Sequence, residues 1–196
     1  MDTPKAAASR NSGHSRRDDI LLSARRLVSD LGVKGMTVRE LAREVGVTEG
    51  ALYRHFPSKE ALVEELFAGE AARLHGWLAH SLRQDAGAWE QLDSLVEGFI
   101  EYGIRETESF RLILDLHQTE TMKGGQRVRL PREQFLSVLT HLERTERLRF
   151  NPPLATVLMI VGMISRLGAG ARTGVVKLTR DEQVAMACRV ARAIVL

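Results

Sequence analysis

Cysteine is nearly absent: Cys188 stands alone in a chain of 196 residues, so no internal disulfide can brace the fold. The amino end also lacks the basic start, apolar core and small-residue cleavage site of a secretory signal. Together these absences lead us to expect a protein of the reducing cytoplasm. Aromatic residues make up only 5% of the chain and prolines number five. With strand formers scarce and apolar residues recurring at three- and four-residue spacing, no segment reads as a strand, and the fold class expected is all-α. Long hydrophobic runs are missing too. The longest, "LATVLMIVGMIS" at 154–165, is shorter than a bilayer-spanning helix and runs into Arg166, so it reads as a buried helix and no membrane contact is expected.

Catalytic and metal-binding patterns are also missing. The six histidines show no ligand spacing with one another or with Cys188, and His75 and His80, five apart, fall on different sides of a helix; no metal site is expected. "GAGARTG" from Gly168 has the wrong glycine spacing for a dinucleotide fingerprint and follows a helix rather than a strand. Cys188 sits among alanines with no histidine nearby in sequence, which suits a small buried hydrophobe better than a nucleophile. No cofactor is expected, and the chain does not read as an enzyme.

What is present begins with charge. Residues 1–60 hold 11 Lys and Arg against 8 Asp and Glu, whereas residues 61–196 hold 17 of each. The whole +3 excess lies at the amino end, as contact with a polyanion would need and as a solvated tail would also show. Residues 1–15, rich in Ala, Ser and basic side chains without apolar periodicity, read as a disordered basic arm.

A first helix is expected over 16–31, with Ile20, Ala24, Leu27, Val28 and Leu31 on one face and Gly32 as its stop. Thr37 and Glu40 form a capping box that opens a second short helix ended by Gly46. Thr48 then caps a third, 49–56, whose core residues are Leu52 and Phe56, and Pro57 closes it. Helices this short need mutual packing. Two of them across a glycine turn make a helix-turn-helix, within a unit expected over 16–57. Ser58 caps a fourth, long helix toward Leu82, opening a larger helical domain over 58–196. Further helices are expected near 88–106, 107–118, 131–148, 154–170 and 180–195.

With Leu52 and Phe56 committed to the core, the third helix turns Glu49, Gly50, Tyr53 and Arg54 outward. In a helix-turn-helix this helix enters the DNA major groove, its first residues meeting base edges and its flanks meeting phosphates. Thr48 and Arg54 suit base edges; Tyr53, His55 and Lys59 suit phosphate oxygens; Gly50 permits close backbone approach. Thr37, Arg39 and the amides opening the second helix suit a further phosphate. The span "TVRELAREVGVTEGALYRHFPSKEALVEELF" strongly resembles the DNA-binding segment of the TetR family of bacterial transcriptional repressors. That resemblance implies a homodimeric regulator of double-stranded DNA whose larger domain dimerises and binds a small molecule. Two recognition helices fixed by one dimer lead us to expect a palindromic operator, and the apolar side chains of the larger domain lead us to expect an apolar ligand that releases it. The resemblance also implies DNA contacts from Thr48, Gly50, Tyr53, His55 and Lys59 and a phosphate contact from Thr37. Glu49 departs from this role, since an acidic side chain there repels phosphate, though it could accept from a cytosine amino group.

Beyond residue 70 the resemblance is architectural. Phe99, Tyr102, Phe110, Met159 and Met163 either line an apolar pocket or pack a plain core. His117, on the apolar stripe of "SFRLILDLHQTETM", is either a core histidine or the pocket's polar group. Arg166 interrupts an apolar helix and needs an anionic partner from within the chain, a facing subunit or a ligand. The last two helices, dense in small and aliphatic residues, are expected to form a four-helix dimer interface, which a charge at Ala187 should split. The rival to a ligand-controlled repressor is a TetR-like nucleoid-associated or division-control protein, whose larger domain binds a protein partner and is closed and dry.

Overall fold

The computed structural model describes residues 15–118, 130–150 and 152–196, with side chains left out at 115–118. Among these residues the structure is helical, without strands, and it divides between Leu62 and Val63 into two compact units. The fold class is all-α, as the periodicity predicts.

The first unit holds α1 (Arg16–Gly35), α2 (Val38–Val45), α3 (Glu49–His55) and the start of α4 (Lys59–Ser81). Ile20, Ala24 and Val28 of α1, Leu41 and Ala42 of α2, and Leu52 and Phe56 are all buried, with α1 packed on α2 and α2 on α3. Met36, between α1 and α2, is buried with them at 1% exposure, which the sequence reading missed because it lies in no periodic stripe. Leu31 corrects the expected apolar face. It is 49% exposed, because regular helix breaks one residue later at Gly32 (φ 71°, ψ 166°). Gly46 ends α2 in the left-handed region (φ 72°, ψ 41°), where a side chain would be strained.

In the second unit α5 (Ala88–Arg105) is the central helix, packed by α6 (Thr107–Gln118), α7 (Arg132–Thr145), α8 (Pro153–Arg172) and α9 (Arg180–Val195). It can be central because most of its circumference is apolar or small, with Leu92, Leu95, Val96, Phe99 and Tyr102 buried, while Glu90, Asp93, Glu97 and Glu101 are confined to one outward stripe. At Gly98 a Cβ would stand 2.8 Å from the Ser81 Cβ, and the Gly98 carbonyl accepts from the Trp77 indole at 2.8 Å. At the surface Arg180 donates to both Glu97 and Glu101, and its bond, with that of Arg105, holds the Glu101 carboxyl below the usual range. A carboxyl lowered in this way contributes stability above its unfolded value and loses it as pH falls through the folded one. The melting temperature should therefore fall on acidification through the carboxylate range, and less steeply in Glu101→Gln.

Two expectations for the last helices need correction. Helix α8 is not a buried core helix, and the apolar run at 154–165 is part of a longer apolar helix that ends at Arg172. Among the described residues it is the one helix long and apolar enough to cross a membrane by length and composition, with 22% of the qualifying window buried. Leu154, Leu158 and Met159 stand exposed on it. Ala187 is fully buried within the chain, so a charge there would disrupt the core rather than report on an interface.

Candidate nucleic-acid interface and ligand cavity

Helix α3 is held at both ends by named bonds. The Thr48 hydroxyl accepts from the Ala51 amide at 3.2 Å, starting the helix. At the other end the Arg17 guanidinium donates to the His55 carbonyl at 2.6 Å and lies 4.3 Å from the centroid of the Phe56 ring. Its neighbour Arg16 donates to the Val45 carbonyl at 3.2 Å. Two consecutive arginines at the start of α1 thus satisfy carbonyls at the ends of α2 and α3, where helices leave acceptors unpaired. No local pattern in the sequence shows this role, since the pairing spans 38 residues. Arg17→Ala should lower stability by about 1–3 kcal/mol through the lost charged hydrogen bond and ring contact, seen as a lower melting temperature.

The surface this leaves is open. Thr48, Glu49, Gly50 and Arg54 are exposed, Tyr53 is 50% exposed, and His55 and Lys59 are half-buried. At Gly50 a Cβ would meet nothing within 4 Å, so no contact inside the chain requires glycine there. The amides of Glu49 and Gly50 belong to the first turn of α3, where intrahelical partners do not exist.

At α2 the predicted capping box is complete: the Thr37 hydroxyl accepts from the Glu40 amide at 3.2 Å and donates to the Glu40 carboxylate at 2.8 Å, while the Thr37 amide donates to that carboxylate at 3.1 Å. These bonds, the side-chain one first, hold the Glu40 carboxyl below its usual range. Glu40 thus occupies the Thr37 hydroxyl and amide, and the Arg39 side chain beside them is exposed. Thr37→Ala should cost about 1 kcal/mol of stability by removing the cap, whereas Thr37→Ser should cost less; thermal unfolding of the two variants checks this.

The second unit contains a cavity of about 480 Å³. Phe67 and Leu74 of α4, Phe99 of α5, Ile113 and Leu114 of α6 and Val157 and Val161 of α8 supply apolar walls, and Arg111, Arg132, Arg166 and Arg172 also line it. A smaller cavity of about 320 Å³ shares Phe99 and Arg172 with it and includes Phe110. Of the side chains expected around a ligand, then, Phe99 and Phe110 line cavities. Tyr102 lines neither. It is a core residue, edge-on to Trp77 with ring centroids 5.9 Å apart, and burial pushes its hydroxyl pKa up. Met159 and Met163 line neither either: they sit on the ridge of α8 beside the cavity-facing one, and Met159 is 53% exposed. The side chain of His117 lies outside the described residues. Among the described residues no group of His, Cys, Asp and Glu could hold a metal ion. Burial raises the Cys188 thiol to about 12, the opposite of what a nucleophile needs.

The family model described as "Bacterial regulatory proteins, tetR family" matches residues 20–66. The chain is 45% identical over 65 residues to the transcriptional repressor KstR2 of Mycolicibacterium smegmatis, covering 33% of this chain and 29% of that protein. It is 31% identical over 88 residues to the nucleoid occlusion factor SlmA of Mannheimia succiniciproducens, covering 44% and 41%. These matches span less than half the length of either relative. A longer match is to the repressor AcnR of Corynebacterium efficiens, 29% identical over 80% of this chain and 84% of that one. Among solved structures, AibR in complex with isovaleryl coenzyme A and operator DNA shares the fold, with a TM-score of 0.71 at 19% identity over 90% of this chain and 97% of that chain.

Proposed function

We propose that this chain, whose residues 20–66 match the TetR family of bacterial regulatory proteins, is a cytoplasmic, homodimeric transcriptional repressor of that family that binds a palindromic operator and is released by a small ligand. In this reading Thr48 and Arg54 meet base edges, and Tyr53, His55, Lys59, Arg39 and the opening turn of α2 meet phosphates. KstR2 and AcnR, the relatives named as repressors, support it.

The observation that carries the DNA-binding reading is Gly50. Glycine in an exposed helix is a cost, roughly 0.5–1 kcal/mol against alanine, and nothing in the chain occupies the space a Cβ would take. The benefit of glycine therefore lies outside the chain, where a DNA backbone or base edge comes close. Gly50→Ala should hold or raise the melting temperature while weakening operator binding by roughly tenfold, about 1.4 kcal/mol. Unchanged operator affinity in this variant would remove the close approach of α3 to DNA.

Dimerisation through α8 and α9 is supported by the side chains the single chain leaves uncovered. Leu154 and Met159 of α8 and Met186 of α9 are between 36% and 53% exposed. A subunit face accounts for so apolar a helix in a DNA-binding protein without a membrane. Release is assigned to α4, continuous from Lys59 through the unit boundary to Ser81. A ligand that favours the DNA-free arrangement changes operator affinity only by its differential affinity, commonly about 1–3 kcal/mol, and DNA must weaken the ligand by the same factor. The rival reading, a division-control protein like SlmA, calls for a closed, dry second unit. The cavity of about 480 Å³ supports ligand control instead.

A further inference from the structure

The charges around the larger cavity go beyond what an apolar effector would need. Its lining contains four arginines, Arg111 from α6, Arg132 from α7 and Arg166 and Arg172 from α8, and no Asp or Glu among the described residues. No described carboxylate forms a salt bridge with any of the four. Arg172 is disfavoured as a cation by partial burial first and by the charge of Arg111 second. All four are nonetheless exposed in the free chain, where water screens their repulsion. A ligand that covers the apolar wall displaces that water, which an anion compensates by pairing with the guanidinium groups and a neutral ligand does not.

The void is built into α8. Gly162, Ser165 and Ala169 share its cavity-facing ridge, one small residue per turn, and a Cβ at Gly162 would meet nothing within 4 Å. No packing within the single chain explains this glycine, and alanine would favour the helix. As a lining residue it leaves the cavity open on this side.

We infer that the cavity takes an anionic amphiphile: an aliphatic chain lying among Phe67, Leu74 and Val157, ending in a carboxylate or phosphate that faces Arg111 and Arg172. The assignment rests on the ligand-controlled reading above and fixes the chemical class of its effector. The cavity's volume lies within the roughly 300–1,000 Å³ usual for small-molecule sites.

The test is calorimetric titration of the full chain with decanoate, decyl phosphate, decanol and inorganic phosphate. One or both anionic amphiphiles should bind at least about tenfold more tightly than decanol, as a hydrogen-bonded charge pair provides, and inorganic phosphate alone should not compete. Preference between decanoate and decyl phosphate identifies the head group. In the exposed double variant Arg111→Gln/Arg172→Gln, affinity for the preferred anion should fall at least roughly tenfold while decanol binding holds. Gly162→Leu should abolish binding of the chain-bearing probes without lowering the melting temperature. Decanol binding as tightly as both anions, failure of both anions to bind, or an anion affinity untouched by the double variant would overturn the inference. Operator affinity is measured separately with each probe. An anion that binds in the cavity and leaves operator affinity unchanged sinks ligand-controlled release but keeps the ligand class; decanol that binds best and releases DNA does the reverse.

Discussion

Tyr53→Ala should weaken operator binding by roughly ten- to hundredfold, the worth of a hydrogen bond to a charged phosphate, while the fold is unaffected. Tyr53 is half exposed on α3, and the neighbouring Leu52 and Phe56 hold the core without it. Its loss from the free protein is a surface change, worth within about 0.5 kcal/mol. The comparison that separates roles is Lys59→Ala. Lysine releases a counterion when it meets phosphate and a neutral tyrosine does not, so only Lys59→Ala should flatten the salt dependence, by about 0.9 in the log–log slope. Both variants should lose affinity for all DNA sequences alike, as phosphate contacts carry no base information. Anisotropy titrations at several salt concentrations give all three quantities, and a Tyr53→Ala protein that binds normally would return this residue to ordinary surface.

The second large effect concerns assembly. Met159→Glu combined with Met186→Glu should convert a dimer into monomers at micromolar concentration, because each symmetric face would carry two carboxylates that lose water without a partner. Such burial costs several kcal/mol per charge, so the dissociation constant should rise at least about a thousandfold. Both side chains are exposed in the single chain, so each monomer should keep its melting transition. DNA affinity should collapse with the dimer, since one recognition helix cannot hold two half-sites. Light scattering of wild type and variant decides the point, and a variant that remains dimeric places the interface elsewhere.

The two units differ in how much of this could be read in advance. In the first, signals are local: Thr37 with Glu40, Gly46 and Thr48 set helix ends through bonds spanning a few residues, Pro57 follows an end because it has no amide to donate, and the structure shows those ends. The Arg17 bond to His55 was hidden because it joins distant residues, as was the burial of Met36. In the second unit helix positions followed from periodicity, but which face meets a void did not. Tyr102 and Phe99 share one helix, yet Phe99 lines the cavity while Tyr102 packs on Trp77, because the neighbours of α5 differ around its circumference. Met159 and Gly162 differ by three positions on α8, and only the second faces the cavity. Arg166 was noticed as an interruption, but its company with Arg111, Arg132 and Arg172 arises from three helices meeting, which no single stretch records.

The most direct test of the central claim is selection of DNA from a random pool by the purified full chain. The account predicts enrichment of an inverted repeat whose half-site centres lie about one helical turn, roughly 34–36 Å, or a multiple of it apart. It also predicts that Thr48→Ala or Arg54→Ala changes which bases are enriched within each half-site. No enrichment, or enrichment of a single unpaired site by a monomer, would contradict it.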